Sequence, residues 1–181
     1  MTVLRAADHR RMPWANGGGV TSEIAVSPED ADMHAFDWRV SMADIAHSGP
    51  FSSLPGVDRI LLLIEGEGMS LTIDGASVEV TSDEPVTFRG ESVVEGWLDE
   101  GPTRDLNLMT RRGRCRGDMY LATDPIVNVE LLADATQLVV VVAGEWAVAG
   151  ESFSIGDCVI VDEPLVLNGN GRLAVVTVTP E

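Results

Sequence analysis

Two alternating segments carry the groups best suited to chemistry. Arg39 and Ser41 interleave with Trp38 and Val40, and Asp105, Asn107 and Met109 interleave with Leu106 and Leu108. An extended chain puts alternate residues on opposite faces, so each polar set shares one side of its strand. A guanidinium is a planar fork that pairs with a carboxylate through two parallel hydrogen bonds, and an amide side chain both donates and accepts. Arg39, Asp105 and Asn107 are therefore candidates for fixing the polar ends of a small acid, with Ser41 beside Arg39; Asp105 and Asn107 facing water is the other reading. Two placements of Arg39 remain open. If Trp38 and Val40 face the core, Arg39 is solvated; if the strand borders a polar lumen, Arg39 points inward to a carboxylate.

The segment DLNLMTRRG runs into Arg111 and Arg112, with Arg114 and Arg116 close behind, a basic island on an acidic chain. Arg111 extends the candidate set; a solvated turn balanced by nearby Asp and Glu is the alternative. A second candidate wall is MPWANGGGVTSEI, Met12 to Ile24. Glycine loses more backbone entropy on folding than any other residue, so three in a row call for a close approach or a positive φ. Trp14 offers a flat apolar wall, and Asn16 a donor and an acceptor. Gly17 and Gly18 could turn backbone N–H groups toward a ligand. Thr21 and Glu23 fall on one side of the extended chain that follows. A bulged strand with Trp14 in the core is the other reading.

Support for other chemistries is thin. All twelve basic residues are arginine, which removes Schiff-base chemistry, a lysine base and a phosphate-loop lysine. His9, His34 and His47 never fall two or four apart, so no local two-histidine metal clip exists. His47 would need a carboxylate or carbonyl partner to act as a base. Cys115 sits among arginines that would lower its thiol pKa. The chain has no G-x-S-x-G elbow.

Strands must carry these residues. Phe36 to Ala43 alternates, and SLTIDGASVEV predicts a hairpin about Asp74-Gly75. VDRILLLIEG and TQLVVVVAG are apolar runs closed by glycine, as suits strands buried on both faces. CVIVDEPLVLNGNGRLAVVTV predicts two strands with a turn at Asn168 to Gly171. Ser41 to His47 holds one turn of helix at most. GPFSSLPGVDR reads as a stiff loop, after which Asp58 and Arg59 point to opposite faces, so that one of them could face a cavity. ILLLIEGEGMSLTIDG resembles LVVVVAGEWAVAGESFSIGD in plan, either as two copies of one β-module or by chance. Many short strands with regular turns predict a sandwich or barrel.

Composition sets outer bounds. The 181 residues, 45% hydrophobic, suffice for one sizeable domain or two fused modules. A net charge of -17 repels phosphate backbones and anionic lipid, so no nucleic-acid or membrane partner is expected. No apolar run approaches the roughly 18 residues of a membrane span. MTVLRAADHRR lacks an apolar signal region, and Cys115 and Cys158 lack metal-type spacing. A cytoplasmic protein with reduced thiols is the expectation.

PWANGGGVTSEI, WRVSMADIAHSGPFSSLPGVDRILLLIEGEGMSL and DLNLMTRRG together resemble the HutD/Ves family of bacterial bicupins. The likeness covers most of the chain up to Gly113; GESFSIGDCVIVDE beyond it has only general cupin character. The resemblance implies an all-β bicupin, two fused cupin-like jelly-roll barrels in one globule spanning residues 1–181. An N-terminal module would occupy about 1–113 and a C-terminal cupin-like module 114–181, with strand exchange between them allowed. It also implies a tie to histidine utilisation, and a small-molecule-binding or regulatory role rather than an established enzyme. Enzymatic cupins hold a metal on two histidines at i,i+2, a glutamate and a later histidine. GEGMSLTIDG and GEWAVAGESF hold no histidine, so neither a metal nor another cofactor is expected.

The expected protein is thus a cytoplasmic, metal-free binder, with a homodimer through a sheet edge allowed. Its ligand would be a small carboxylate metabolite such as formylglutamate, formiminoglutamate or urocanate. Trp14, Asn16, Gly17 and Gly18 would wall the pocket, with Thr21, Glu23 and Ser41 beside them. Arg39, Asp105, Asn107 and Arg111 would fix the polar ends. The alternatives are a metal-independent enzyme using Glu23, Asp105 or His47 as acid or base, and a structural or interaction protein without a ligand.

Overall fold

The computed structural model describes residues 1–181. It is all-β apart from one 3-10 turn at Ala6–Asp8. The chain opens with β1 (Thr2–Leu4). Then come β2 (Arg10–Pro13), β3 (Gly19–Ser27), β4 (Trp38–Ile45), β5 (Gly49–Pro50), β6 (Val57–Glu65) and β7 (Met69–Ile73). They are followed by β8 (Ala76–Val80), β9 (Val86–Arg89), β10 (Val94–Leu98) and β11 (Thr103–Arg111). The last strands are β12 (Cys115–Ala122), β13 (Ile126–Val129), β14 (Thr136–Val148), β15 (Glu151–Phe153), β16 (Cys158–Val161) and β17 (Leu165–Pro180). Two compact units result: Arg10–Gly117 with Glu181, and Met1–His9 with Asp118–Pro180. No helix is long and apolar enough to cross a membrane.

The first unit has a six-stranded sheet, β2-β3-β4-β11-β6-β9, and a four-stranded one, β5-β10-β7-β8. Neither closes on itself. Met69, Leu71, Val80 and Val94 of the smaller sheet pack on Ala43, Ile45, Leu61, Leu63 and Phe88 of the larger. Burying each of the larger side chains contributes about 1.5–3 kcal/mol. Asp74 and Gly75 close the expected β7–β8 hairpin, with Ile73 opposite Ala76 and both turn residues at positive φ.

Strand β11 lies between β4 and β6, and its register decides which residues meet. Met109 is opposite Arg39 and Arg59; Asn107 is opposite Ser41 and Leu61; Asp105 is opposite Ala43 and Leu63. On the other face Val40, Met42, Leu62, Leu106 and Leu108 are buried as well. No helical turn forms after Ser41, where at most one was allowed, because β4 runs on to Ile45.

The second unit is one sheet in the order β1-β16-β14-β17-β12, with β13 added on β17 and β15 on β14. It too is open. The turn expected at Asn168 to Gly171 is not there. Those residues lie inside the 16-residue β17, with Gly171 opposite Gly144 and Gly169 opposite Trp146 on β14. A Cβ on Gly144 would strike the Asn170 carbonyl oxygen, so glycine here allows two paired backbones to pass close. The proposed repeat also diverges here: the first apolar run ends as β6 at Glu65, whereas the second continues through Gly144 to Val148.

Candidate functional site

The inward face of the six-stranded sheet changes character along its strands. It is apolar where the smaller sheet covers it and polar beyond. A cavity of about 410 Å³ lies over the polar part, a size that suits a small molecule. Its floor comes from Arg39 and Ser41 on β4, Asp105, Asn107 and Met109 on β11, and Arg59 on β6. Trp14, Asn16 and Thr21 of the β2–β3 hairpin and Phe51 and Leu54 of the β5–β6 loop form its walls.

Arg39 points inward and is only 4% exposed. The solvated placement is excluded because both faces of β4 are covered. Its Nε donates to Glu23 Oε2 at 2.6 Å, and the Glu23 side chain is itself 11% exposed. Glu23 therefore neutralises Arg39 and does not line the cavity.

Arg59 was not among the expected site residues. It is 5% exposed, and its Nε makes one long hydrogen bond, 3.4 Å, to Asn107 Oδ1. Its Cζ sits 5.2 Å from the Phe51 ring centroid and 5.0 Å from that of Phe88. No carboxylate pairs with it, unlike Arg39. Burial lowers its pKa to about 10, with the Asp105 charge opposing and Arg39 adding; it remains a cation at neutral pH. The sequence signal was the Asp58-Arg59 alternation, but only pairing with β11 turns Arg59 rather than Asp58 toward the cavity.

Asp105 is fully buried, and neither carboxylate oxygen has a hydrogen-bond partner. Its strand neighbours Ala43 and Leu63 offer nothing polar. Burial pushes its pKa up to about 7; nearby Arg59 and the Asn107 amide restrain the shift, and Asp44 adds to it.

The glycine run has a structural cause. Asn16 Oδ1 accepts from Gly18 N at 2.9 Å, Trp14 O accepts from Gly17 N at 3.0 Å, and Gly17 has φ +71°. At Gly19 a Cβ would lie 2.5 Å from the Asp44 carbonyl oxygen and 3.2 Å from the Trp14 ring. The run is a tight turn followed by a close pass against β4. Gly17 and Gly18 accordingly do not line the main cavity. Gly18 instead borders a smaller one of about 150 Å³, together with His47. Trp14 and Asn16 do reach the main cavity, and Trp14 Nε1 donates to Thr21 Oγ1 at 2.8 Å.

Arg111 is elsewhere. Its Nε and Nη2 donate to the carbonyl oxygens of Phe36 and His34, and its guanidinium stacks 5.1 Å from the Phe36 ring centroid. Arg112 pairs with Asp58 and Glu91, and Arg114 with Asp37. These three arginines fasten loops instead of offering forks to a ligand. Cys115 donates from Sγ to the Asp37 carbonyl oxygen at 3.0 Å, and burial raises its pKa, opposite to the expected lowering. Cys115 and Cys158 are both free and buried. No three His, Cys, Asp or Glu side chains gather as metal ligands, so the residues present do not fit the metal of the enzymatic cupins.

Fold and cavity define an all-β protein with a small-molecule-sized pocket whose buried floor holds two arginines and a carboxylate. The chain belongs to the HutD family, whose model matches residues 6–176. It is 35% identical over 97% of its length, and 96% of the relative's, to an uncharacterised 21.2 kDa protein of the hutC 3' region of Pseudomonas putida. It is 39% identical over 77% of its length, and 73% of the relative's, to protein Ves of Citrobacter koseri. The solved structure of HutD from Pseudomonas fluorescens SBW25 superposes with a TM-score of 0.86 at 38% identity, covering 99% of this chain and 98% of that one.

Proposed function

We propose that this chain is a cytoplasmic, metal-free sensor that binds a small carboxylate metabolite of histidine breakdown, of the formylglutamate, formiminoglutamate or urocanate kind. Its two units are two cupin-like jelly rolls, and it regulates rather than transforms its ligand. Arg59 is the observation that carries the proposal: a buried cation facing a cavity, with no carboxylate of its own. A buried charge is costly unless paired, and a ligand carboxylate would supply the pair through charge-assisted hydrogen bonds. The histidine connection is supported by family membership and by the hutC-region position of the P. putida relative.

Thermal shift of the purified protein with the three metabolites tests this. At about 100 times its Kd, a bound ligand adds roughly 2.7 kcal/mol to unfolding stability. At least one of the three should stabilise the wild type, and Arg59→Met should abolish the effect. Stabilisation by none of them, or full stabilisation of Arg59→Met, would overturn the proposal. Asp105 favours a second reading, since a carboxyl group titrating near neutrality is suited to general acid–base work. An enzyme would deplete the metabolite, which mass spectrometry after incubation reads directly.

A further inference from the structure

Asp105 is the one feature of the cavity floor that a carboxylate ligand does not explain. Buried polar groups are nearly always hydrogen-bonded, yet both Asp105 oxygens lack a partner. Its neighbours across the sheet, Ala43 and Leu63, give it no structural work. An ionised carboxylate only accepts hydrogen bonds, and a guanidinium only donates them. The cavity thus has a donor pole at Arg59 and an acceptor pole at Asp105. Arg59 reaches down to the level of Asn107, and Asp105 lies one side-chain repeat further along β11, about 7 Å. The remaining charges on this face, Arg39 and Glu23, cancel each other.

We infer that the cavity is built for a zwitterionic acid, one whose carboxylate pairs with Arg59 while a protonated nitrogen about 7 Å away donates to Asp105. This rests on the carboxylate reading of the same site and narrows it. A plain acid fills only the Arg59 pole and leaves Asp105 unpaired. An acid with a single carboxylate and an amidinium, imidazolium or ammonium group satisfies both poles and keeps the filled cavity neutral. Among dicarboxylic acids of one skeleton, formiminoglutamate can offer a carboxylate to Arg59 and an amidinium to Asp105 and carries one further carboxylate, formylglutamate offers only a neutral amide N–H, and glutarate has no nitrogen.

Calorimetric titration of wild type, Asp105→Asn and Arg59→Met with these three acids separates the possibilities. The wild type should bind formiminoglutamate at least about tenfold more tightly than glutarate, with formylglutamate between them; tenfold corresponds to about 1.4 kcal/mol. Asp105→Asn removes a buried unpaired carboxylate, so it folds, and it should bring the three affinities within about threefold. The wild-type preference should shrink between pH 8 and pH 6 as Asp105 takes up a proton, and should stay flat in Asp105→Asn. The charged groups near Asp105 are Arg59 on β6 and the Arg39–Glu23 pair on β4 and β3, with Asp44 acting from the opposite face of β4. Equal wild-type affinities for formiminoglutamate and glutarate, both lost in Arg59→Met, would overturn the zwitterion inference and leave the carboxylate reading standing. A preference unchanged in Asp105→Asn would also overturn it. Binding of none of the acids, or binding indifferent to Arg59→Met, would overturn both.

Discussion

Two buried arginines on one sheet face differ only in their partners, and that difference sets what each substitution does. Arg39 is held by Glu23, so Arg39→Met leaves a nearly buried carboxylate alone and should cost about 3–5 kcal/mol of unfolding stability. Adding Glu23→Leu should recover most of that loss in a denaturant melt. Arg59 is in ion-pair contact with no carboxylate, so Arg59→Met should cost less than Arg39→Met, about 1–2 kcal/mol for its hydrogen bond and ring contacts. Asp105 makes a signed prediction in pH. Its folded pKa is raised from 3.8 to about 7, so between those values the folded state keeps a proton that the unfolded state has lost. Wild-type stability should therefore fall as pH rises from about 4 through 7, by up to about 4 kcal/mol. Asp105→Asn should remove that slope and gain stability at pH 8. Alternation alone put Asp105 and Asn107 on one face. It could not decide Arg39, because Trp38 and Val40 make the opposite face look like a one-sided core, whereas both faces of β4 are buried.

Elements formed by neighbouring residues were legible, and those fixed by distant pairing were not. Asp74-Gly75 supplies two residues that tolerate positive φ between two alternating runs, which suffices to predict the β7–β8 hairpin. Asn168 to Gly171 carries an equally strong turn signature, but its glycines answer to Gly144 and Trp146 on β14, more than twenty residues earlier. Gly144→Ala should therefore destabilise by more than about 2 kcal/mol, although the position lies in the middle of a strand, because it meets the Asn170 carbonyl at positive φ. Gly19→Ala should cost about 1–3 kcal/mol through the Asp44 carbonyl and the Trp14 ring, and should disturb the cavity wall with it. A thermal melt of each variant checks both values. Arg111 was misjudged for the same reason as the β17 turn: its partners, the carbonyls of His34 and Phe36, are remote in sequence.

At the scale of the whole molecule, the all-β class was readable from the alternating runs and their turns, and the family from three segments of the chain. In the structure β1 pairs with β16, and the first nine residues belong to the unit of Asp118–Pro180. A net charge of -17 opposes compaction, so melting temperature should rise as salt goes from about 10 to 150 mM and screening sets in. The complete cavity floor lies within Arg10–Gly117, so ligand binding should protect amides of β4, β6 and β11 in hydrogen exchange. The most direct measurement is calorimetric titration of wild type and Arg59→Met with formiminoglutamate, formylglutamate and urocanate. Saturable binding of at least one acid, one per chain, weakened at least about thirtyfold by Arg59→Met, is the predicted result. Heat-silent titrations with all three acids, or an affinity that Arg59→Met leaves unchanged, would contradict it.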